Sequence, residues 1–372
     1  MPFIDRLEIW HKSQSRAGTL PAEFRDLSLT DIHRRVGIGQ QKFMPAHGLK
    51  LHGAELIVTF NGELLRREQD PVVEYFPRMA GLAVQDRAGI TNIEIVTPTG
   101  KLLMQYEMID SMVRMGTEAY IKKHLVQTED EYRTVETVLE RAEFVSRAVE
   151  IAEEEALIGE IGFVVPSLCR IPFQQVLLEY VGEAQTFYEL HDNPQRINRL
   201  LTLLDEVMTA MLHHLADLDV LYVEFPDNLH GMMTNPRLFT KYCIPAYQRY
   251  AGILHAQGKK MGSHTDGDLK PLLKLLAESG LDVAESFSPF PLSQVSFEEA
   301  WDAWGNGPLI WGGIPSPMLE DGVGDAEFEE YLERLLATIG DRPIILGIGD
   351  QVLGNDRIER VRYIAERVER GR

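Results

Sequence analysis

The chain has 372 residues, 44% of them hydrophobic and 25% charged, enough for a sizeable globular core. Lys and Arg total 37 against 57 Asp and Glu, a formal charge of −20; with no basic run anywhere, nonspecific binding to nucleic acid or anionic lipid is excluded. The two cysteines, Cys169 and Cys243, form no Cys-x-x-Cys, which argues against a disulfide scaffold or zinc knuckle and fits a reducing cytosol.

The N-terminal stretch "MPFIDRLEIWHKSQSRAG" lacks an apolar core segment, and no apolar run reaches about 18 residues. Neither a signal peptide nor a membrane span is expected, and a cytoplasmic location follows as the expectation. Residues 1–90 mix short apolar runs with turn-rich text and define no firm element. Residues 91–108 predict a β-hairpin around Pro98-Thr-Gly100, where a Pro-x-Gly turn joins β-branched runs. Thr128-x-x-Glu131 is a capping-box pattern, and helical periodicity continues from it to Gly159.

From residue 160 short apolar runs alternate with amphipathic ones. "EIGFVV" reads as a strand. A helix opens at Asn193-Pro194 and carries Ile197, Leu200, Leu201, Leu204, Val207, Met208, Met211 and Leu212 at i, i+3, i+4 spacing. "DVLYVEF" is a strand, and the helix after it runs from Asn235-Pro236 to Gly258, with Pro245 expected to kink or split it. Then come strand "KKMGSH" and a helix ending at Gly280, strand "LDVAESF" and helix "SFEEAWDAW", strand "PLIWGG" and helix "DAEFEEYLERLLATIG", strand "PIILGI" and the last helix. Six apolar strands, each followed by a helix, imply a parallel sheet covered on both faces. Two more strands from the N-terminal half would complete an α/β fold of the (β/α)8 barrel type. The expected organisation is a single barrel domain over 1–372, with 1–127 as an N-terminal extension containing the hairpin. A doubly wound open sheet is the rival, but no Gly-x-Gly-x-x-Gly follows a strand.

Both folds place chemistry at the carboxyl ends of strands. Those ends carry Glu224, Asp227, Asn228 and His230 after "LYVEF", His264 and Asp266 after "KKMGS", Glu285 in "LDVAESF", and Asp350 after "PIILGI". Carboxylates gathered without partners repel and are costly to desolvate, so the cluster implies a cation, proton transfer or an arginine partner. Arg170, in the loop after "EIGFVV", is the candidate partner. Plainer roles compete. Asp266 or Asp268 can cap the following helix, Asp227-Asn228 and Asp350 can serve turns, and His264 can be a structural hydrogen-bonding group. Cys243 reads as core; Cys169 lies near a strand end and can face the site.

"VTPTGKLL" (96–103), "HDNPQRINRLL" (191–201), residues 234–291 and "IILGIGDQVLGNDRIERV" (344–361) resemble the uroporphyrinogen decarboxylase superfamily. The resemblance implies a barrel with its site at the strand carboxyl ends. The arginine-rich "RQAGR" type of motif that serves the decarboxylases is absent; "DIHRRVGIG" (31–39) is the nearest text. The other branch of the superfamily contains zinc- and corrinoid-dependent methyltransferases, in which a His-x-Cys at the end of the equivalent strand holds zinc. Here Asp266 stands in the cysteine position, and no cysteine follows Cys243. His264, Asp266 and Glu285 are therefore expected to hold Zn2+. Harder oxygen ligands suit polarisation of an ether oxygen over activation of a thiol. Glu224, Asp227, His230 and Asp350 are expected in catalytic roles, and Asn228 and Arg170 in substrate binding. The implied activity is methyl transfer from a small methoxylated substrate to a corrinoid protein or similar acceptor, with a homodimer implied by analogy. A decarboxylase of a tetrapyrrole or other small acid, and a barrel retained only for binding, are the alternatives.

Overall fold

The computed structural model describes residues 1–370, so the last two residues of the expected 1–372 domain lie outside the described residues. The chain divides into two compact units, one of residues 1–44, 151–166 and 220–372, the other of 45–150 and 167–219. The first 44 residues, assigned to the extension in the sequence, thus belong to the first unit.

The first unit is built on eight strands: β1 (Ile4–Asp5), β2 (Gly39–Pro45), β3 (Gly162–Ser167), β4 (Tyr222–Phe225), β5 (Lys260–His264), β6 (Val283–Phe287), β7 (Leu309–Ile314) and β8 (Ile344–Ile348). They neighbour one another in chain order, with parallel registers. A parallel bridge between Phe3 and Leu346 returns the first strand to the last, and Leu346 N–H donates to the Pro2 carbonyl at 2.9 Å. The result is a nearly closed (β/α)8-type barrel. The six strands legible after residue 160 are β3–β8. The two missing ones, β1 and β2, come from the stretch that gave no firm reading.

Local chemistry sets the outer helices. Ser296 and Glu299 form a reciprocal capping box at the start of Phe297–Trp304. Pro245 heads the helix Ile244–Ala256 directly after a π-helical turn at Phe239–Cys243. Proline has no N–H to continue the ladder, so the hydrogen-bond register slips there instead of breaking the helix.

Within the barrel, Val165, Tyr222, Val283 and Trp311 form an apolar cluster, with Ile4, Phe163 and Ile345 packed against it. Strand side chains repeat every two residues on one face. Glu224 follows Tyr222, and Glu285 follows Val283, so each shares the interior face with its apolar neighbour. Gly262 precedes His264 in the same way. A Cβ at Gly262 would lie 1.9 Å from the Tyr222 hydroxyl, so glycine is what lets that ring cross beneath β5.

The second unit holds a five-stranded antiparallel sheet and a three-stranded sheet. The predicted hairpin is present as Gly89–Thr97 and Gly100–Met108, fully antiparallel, and Thr97 Oγ1 accepts from the Gly100 N–H at 3.1 Å to close the turn. The capping box at Thr128 and Glu131 forms as expected. The helical run expected to Gly159 does not hold. The helix stops at Glu140, and Ala142–Ser146 is a strand. That strand pairs antiparallel with His47–Leu51; tertiary pairing overrides a weak helical preference. The long helix runs Pro194–His214 with Asn193 before it, although the Asn193 side chain makes no capping bond. The buried core is aliphatic and aromatic, including Leu56, Ile93, Leu102, Tyr106, Val135 and Leu200.

Candidate active site

Three adjacent strands bring three donors together. Glu224 on β4, His264 at the end of β5 and Glu285 on β6 each offer one atom, and all three atoms lie within 4.8 Å of one another. Their exposures are 1%, 8% and 2%. The parallel register sets His264 directly beside Glu285, and His264 Nδ1 lies 2.6 Å from Glu285 Oε2. Each carboxylate is anchored from behind. The Tyr222 hydroxyl donates to Glu224 Oε2 at 2.7 Å, and Gln41 Nε2 donates to Glu285 Oε1 at 3.0 Å.

The other face of the imidazole looks toward the loops. His264 Nε2 is 3.6 Å from Asp266 Oδ2 and 3.6 Å from Asp350 Oδ1. Asn228 Nδ2 donates to Asp266 Oδ2 at 3.1 Å. Arg6, immediately after β1, donates to the Asp350 carboxylate at 3.0 Å and to its carbonyl at 2.7 Å, while its guanidinium lies 4.7 Å from the centre of the Phe43 ring. Asn228, Ser286 and Asp350 have φ of 50°, 60° and 73°, a left-handed backbone that costs non-glycine residues about 1–3 kcal/mol each. Ser286 sits where the β6–β7 register shifts, and its hydroxyl accepts from the Asp350 N–H. This strain is concentrated at the strand ends, beside the charged cluster.

The charges are arranged to oppose one another. Burial, and then the nearby Glu285, push the Glu224 carboxyl well above the ordinary glutamate value of 4.5. Burial works against a charge on His264, but Glu285 and Asp266 outweigh it and hold the imidazole well above 6.5. Burial alone would raise Glu285; the His264 charge pulls it below 4.5 instead. Asp266 is lowered in the same way, with His264 overcoming burial. Asp5, buried and accepting from the Ile348 N–H, is raised well above 3.8 by desolvation.

The structure sorts the residues singled out in the sequence. Glu224, His264, Glu285, Asp266 and Asp350 converge, with Asn228 held to Asp266. Asp266 and Glu285, expected to share an ion through His264, face opposite ring nitrogens, whose lone pairs diverge. Glu224 takes the place given to Asp266 in the compact donor set. Neither Asp266 nor Asp268 caps the following helix, whose N-cap is Leu269 with no side-chain capping bond; Asp268 Oδ1 accepts from the Lys270 N–H at 3.1 Å in the turn ahead of it. Asp227 lies on the helix side of the strands, its Oδ2 accepting from Tyr247 at 2.5 Å and from Ser263 at 3.0 Å. Ser263 alternates with His264 and so points away from it. His230 is half-buried in the loop after β4; its Nδ1 accepts from the Met232 N–H at 3.2 Å. Arg170 belongs to the second unit, where its Nε donates to the buried Glu179 at 3.0 Å. Cys169 and Cys243 are free thiols. The arginine beside the barrel carboxylates is Arg6. Arg6, Gln41 and Tyr222 went unnoticed in the sequence; the charged pair Asp5-Arg6 after the short apolar "FI" was the available signal for Arg6.

A parallel barrel with ionisable groups converging inside its strand ends is an enzyme architecture. The sequence matches the uroporphyrinogen decarboxylase (URO-D) family over residues 86–371, and the chain belongs to that family. The match begins after β1 and β2, so Arg6 and Gln41 lie outside it. No curated protein matches. Among solved structures, a methyltransferase from Methanosarcina mazei is similar at 12% identity over 68% of this chain and 72% of that one, with a TM-score of 0.49. A D-psicose 3-epimerase from Clostridium cellulolyticum H10 is similar at 12% identity over 61% of this chain and 83% of that one, with a TM-score of 0.37. Among the described residues no helix is long and apolar enough to cross a membrane.

Proposed function

We propose that the chain is a metal-dependent enzyme that moves a methyl group from a small methoxylated substrate to a corrinoid on a partner protein or to a similar acceptor. The observation that carries this reading is the convergence of Glu224, His264 and Glu285 from three neighbouring strands, with all three donor atoms within 4.8 Å of one another. One imidazole and two carboxylates fit a divalent ion such as Zn2+ and leave a coordination position open for substrate. Tyr222 and Gln41 fix the two carboxylates, as outer hydrogen bonds do around metal ligands. A bound ion supplies Lewis acidity toward an ether oxygen, which stabilises the departing alkoxide or phenolate. The chain's own groups do the rest. Burial of the donors keeps bulk water from competing for the open position. Arg6 offsets the negative charge of Glu285 and Asp350. Asp266, with Asn228 steadying it, and Asp350 present acceptors at the strand ends that orient the substrate. Protein purified without chelator is expected to carry about one zinc per chain, lost on His264→Ala, and to methylate a Co(I) corrinoid from a methoxyaromatic donor. A chain that takes up no zinc when zinc is supplied, or that transfers no methyl group once loaded with it, overturns the proposal.

A second reading rests on the direct 2.6 Å contact between His264 Nδ1 and Glu285 Oε2, beside a Glu224 whose carboxyl burial pushes well above the ordinary glutamate value. This is a proton-transfer set. It suits decarboxylation of a small acid, in which Glu224 hands its proton to the carbanion left by CO2. Metal-independent release of CO2 from a tetrapyrrole acid selects it over methyl transfer.

A further inference from the structure

The second unit contains a recess unrelated to the barrel donors. Its walls include His47, Phe76, Phe144, Tyr180, Met208 and Met211, and it encloses about 430 Å³ of empty space counted out to its mouth, of which about 30 Å³ admits the centre of a water-sized sphere. A water molecule needs roughly 10–15 Å³ by that measure, so the inner part takes two water-sized groups or the leading edge of one ring. Two of the lining side chains carry buried polar atoms without a hydrogen-bond partner, Nδ1 of His47 and the hydroxyl of Tyr180. His47 is 6% exposed and Tyr180 0%. Buried polar atoms in folded proteins are paired almost without exception, so two orphans on one cavity wall mark a place shaped for a polar group.

The remaining lining sets the ligand's character. His47 packs edge-on to Phe144, ring centroids 5.8 Å apart, and Tyr180 packs edge-on to Phe76 at 6.1 Å. Met208 and Met211 are unbranched and adapt to an inserted ring. Glu74 also lines the recess, but Arg147 pairs with it at 2.7 Å, so it supplies no free charge. Burial, with His214 adding to it, pushes the His47 imidazole down to about 4. A neutral imidazole with its proton on Nε2 presents Nδ1 as an acceptor. Cys169 is a wall and not a nucleophile, since burial pushes its thiol up to about 12.

We propose that this recess binds a small neutral ring bearing one hydroxyl, which donates to His47 Nδ1 and accepts from Tyr180 while the ring packs among Phe76, Phe144, Met208 and Met211. Phenol is the probe. In the full-length chain with methyl-labelled methionine, phenol titration is expected to shift the Met208 and Met211 methyl signals saturably, with a Kd of about 1 mM or tighter. His47→Phe, which keeps an aromatic wall and removes the acceptor, is expected to weaken binding by roughly tenfold, the loss of one net hydrogen bond of about 1.4 kcal/mol. Met208→Trp fills the space and should abolish it. His264→Ala in the barrel should leave the shifts unchanged, which separates this site from the proposed catalytic one. Methyl signals unmoved by about 10 mM phenol, or shifts that vanish in His264→Ala and persist in His47→Phe, overturn the proposal.

Discussion

The two units solve the problem of burial in opposite ways. In the second, the interior is a continuous apolar cluster, with Arg67 pairing with Glu55 at 2.8 Å at the surface and the buried Arg170 and Glu179 pairing with each other at 3.0 Å. In the barrel, an apolar layer around Tyr222, Val283 and Trp311 supports a layer of ionisable groups that includes Glu224, His264 and Glu285. Taking charges out of water costs several kcal/mol per ion, and mutual attraction rarely returns more than that. A fold that carries such a layer is therefore less stable than one with apolar residues there, and the layer is retained for what it does.

Substitutions can break this contrast, and the largest effect belongs to the barrel. His264→Ala removes the group that both Glu285 and Asp266 face, and turnover of the identified substrate is expected to fall by at least about 10³-fold, alongside loss of metal. The same change leaves Glu285 buried without its partner, so chemical denaturation should show a loss of about 3–5 kcal/mol. A variant that keeps its metal and its rate refutes the assignment of the site.

Leu102→Ala in the second unit is the mirror experiment. Leu102 is fully buried, and truncation should cost about 2–5 kcal/mol of stability. Metal content and kcat, measured well below the melting temperature, should stay at the wild-type level. Tyr222→Phe is subtler. It removes the hydroxyl that donates to Glu224 while keeping the ring, and a roughly 10–100-fold loss of metal affinity is expected by calorimetry, with little change in melting temperature.

The metal-free chain should also show the cost of its polar layer as a pH dependence. Glu224 has a folded pKa above its unfolded value of 4.5, so the folded state keeps a proton that the unfolded chain has released. Stability from this group is present at low pH and is lost as pH rises from 4.5 through the folded value, at about 1.4 kcal/mol for each pK unit between them. His264, also raised, adds a loss in the same direction above 6.5. Glu285, lowered, acts oppositely and only below 4.5. The melting temperature of wild type relative to Glu224→Gln should therefore fall as pH is raised above 4.5 in the presence of chelator; a constant difference contradicts a protonated Glu224. The smallest effect expected is from Thr128→Ala, about 1 kcal/mol for loss of the capping box that starts Glu129–Glu140.

Legibility in the sequence followed the same division. Alternation of apolar strands with amphipathic helices after residue 160 set out six barrel strands, because strands buried on both faces leave unbroken apolar runs. β1 is two residues long, too short for any periodicity, and β2 carries Gln40 and Gln41 where an apolar run would have announced it. Arg6 and Gln41 stayed hidden with them. Glu224, His264 and Glu285 were visible because they close recognisable strands. Which of them share a face depends on register: a one-residue step turns Ser263 away from His264 and carries Asp227 with it to Tyr247. The strand at Ala142–Ser146 was hidden for a different reason, since its partner His47–Leu51 lies about ninety residues earlier.

The return of Phe3 to Leu346 has a consequence for how the molecule comes into being. All chain needed for the second unit has been made by residue 219, whereas β1, β2 and β3 must wait for β4–β8 before the sheet can close on itself. On the ribosome the chain of the second unit is complete early, and β1, β2, β3 and then β4 follow one another in the sheet, but the outer edge of β1 stays unpaired until β8 is made in the last tenth of the chain. Pairings of such long sequence separation form slowly, and open strand edges invite aggregation while they persist.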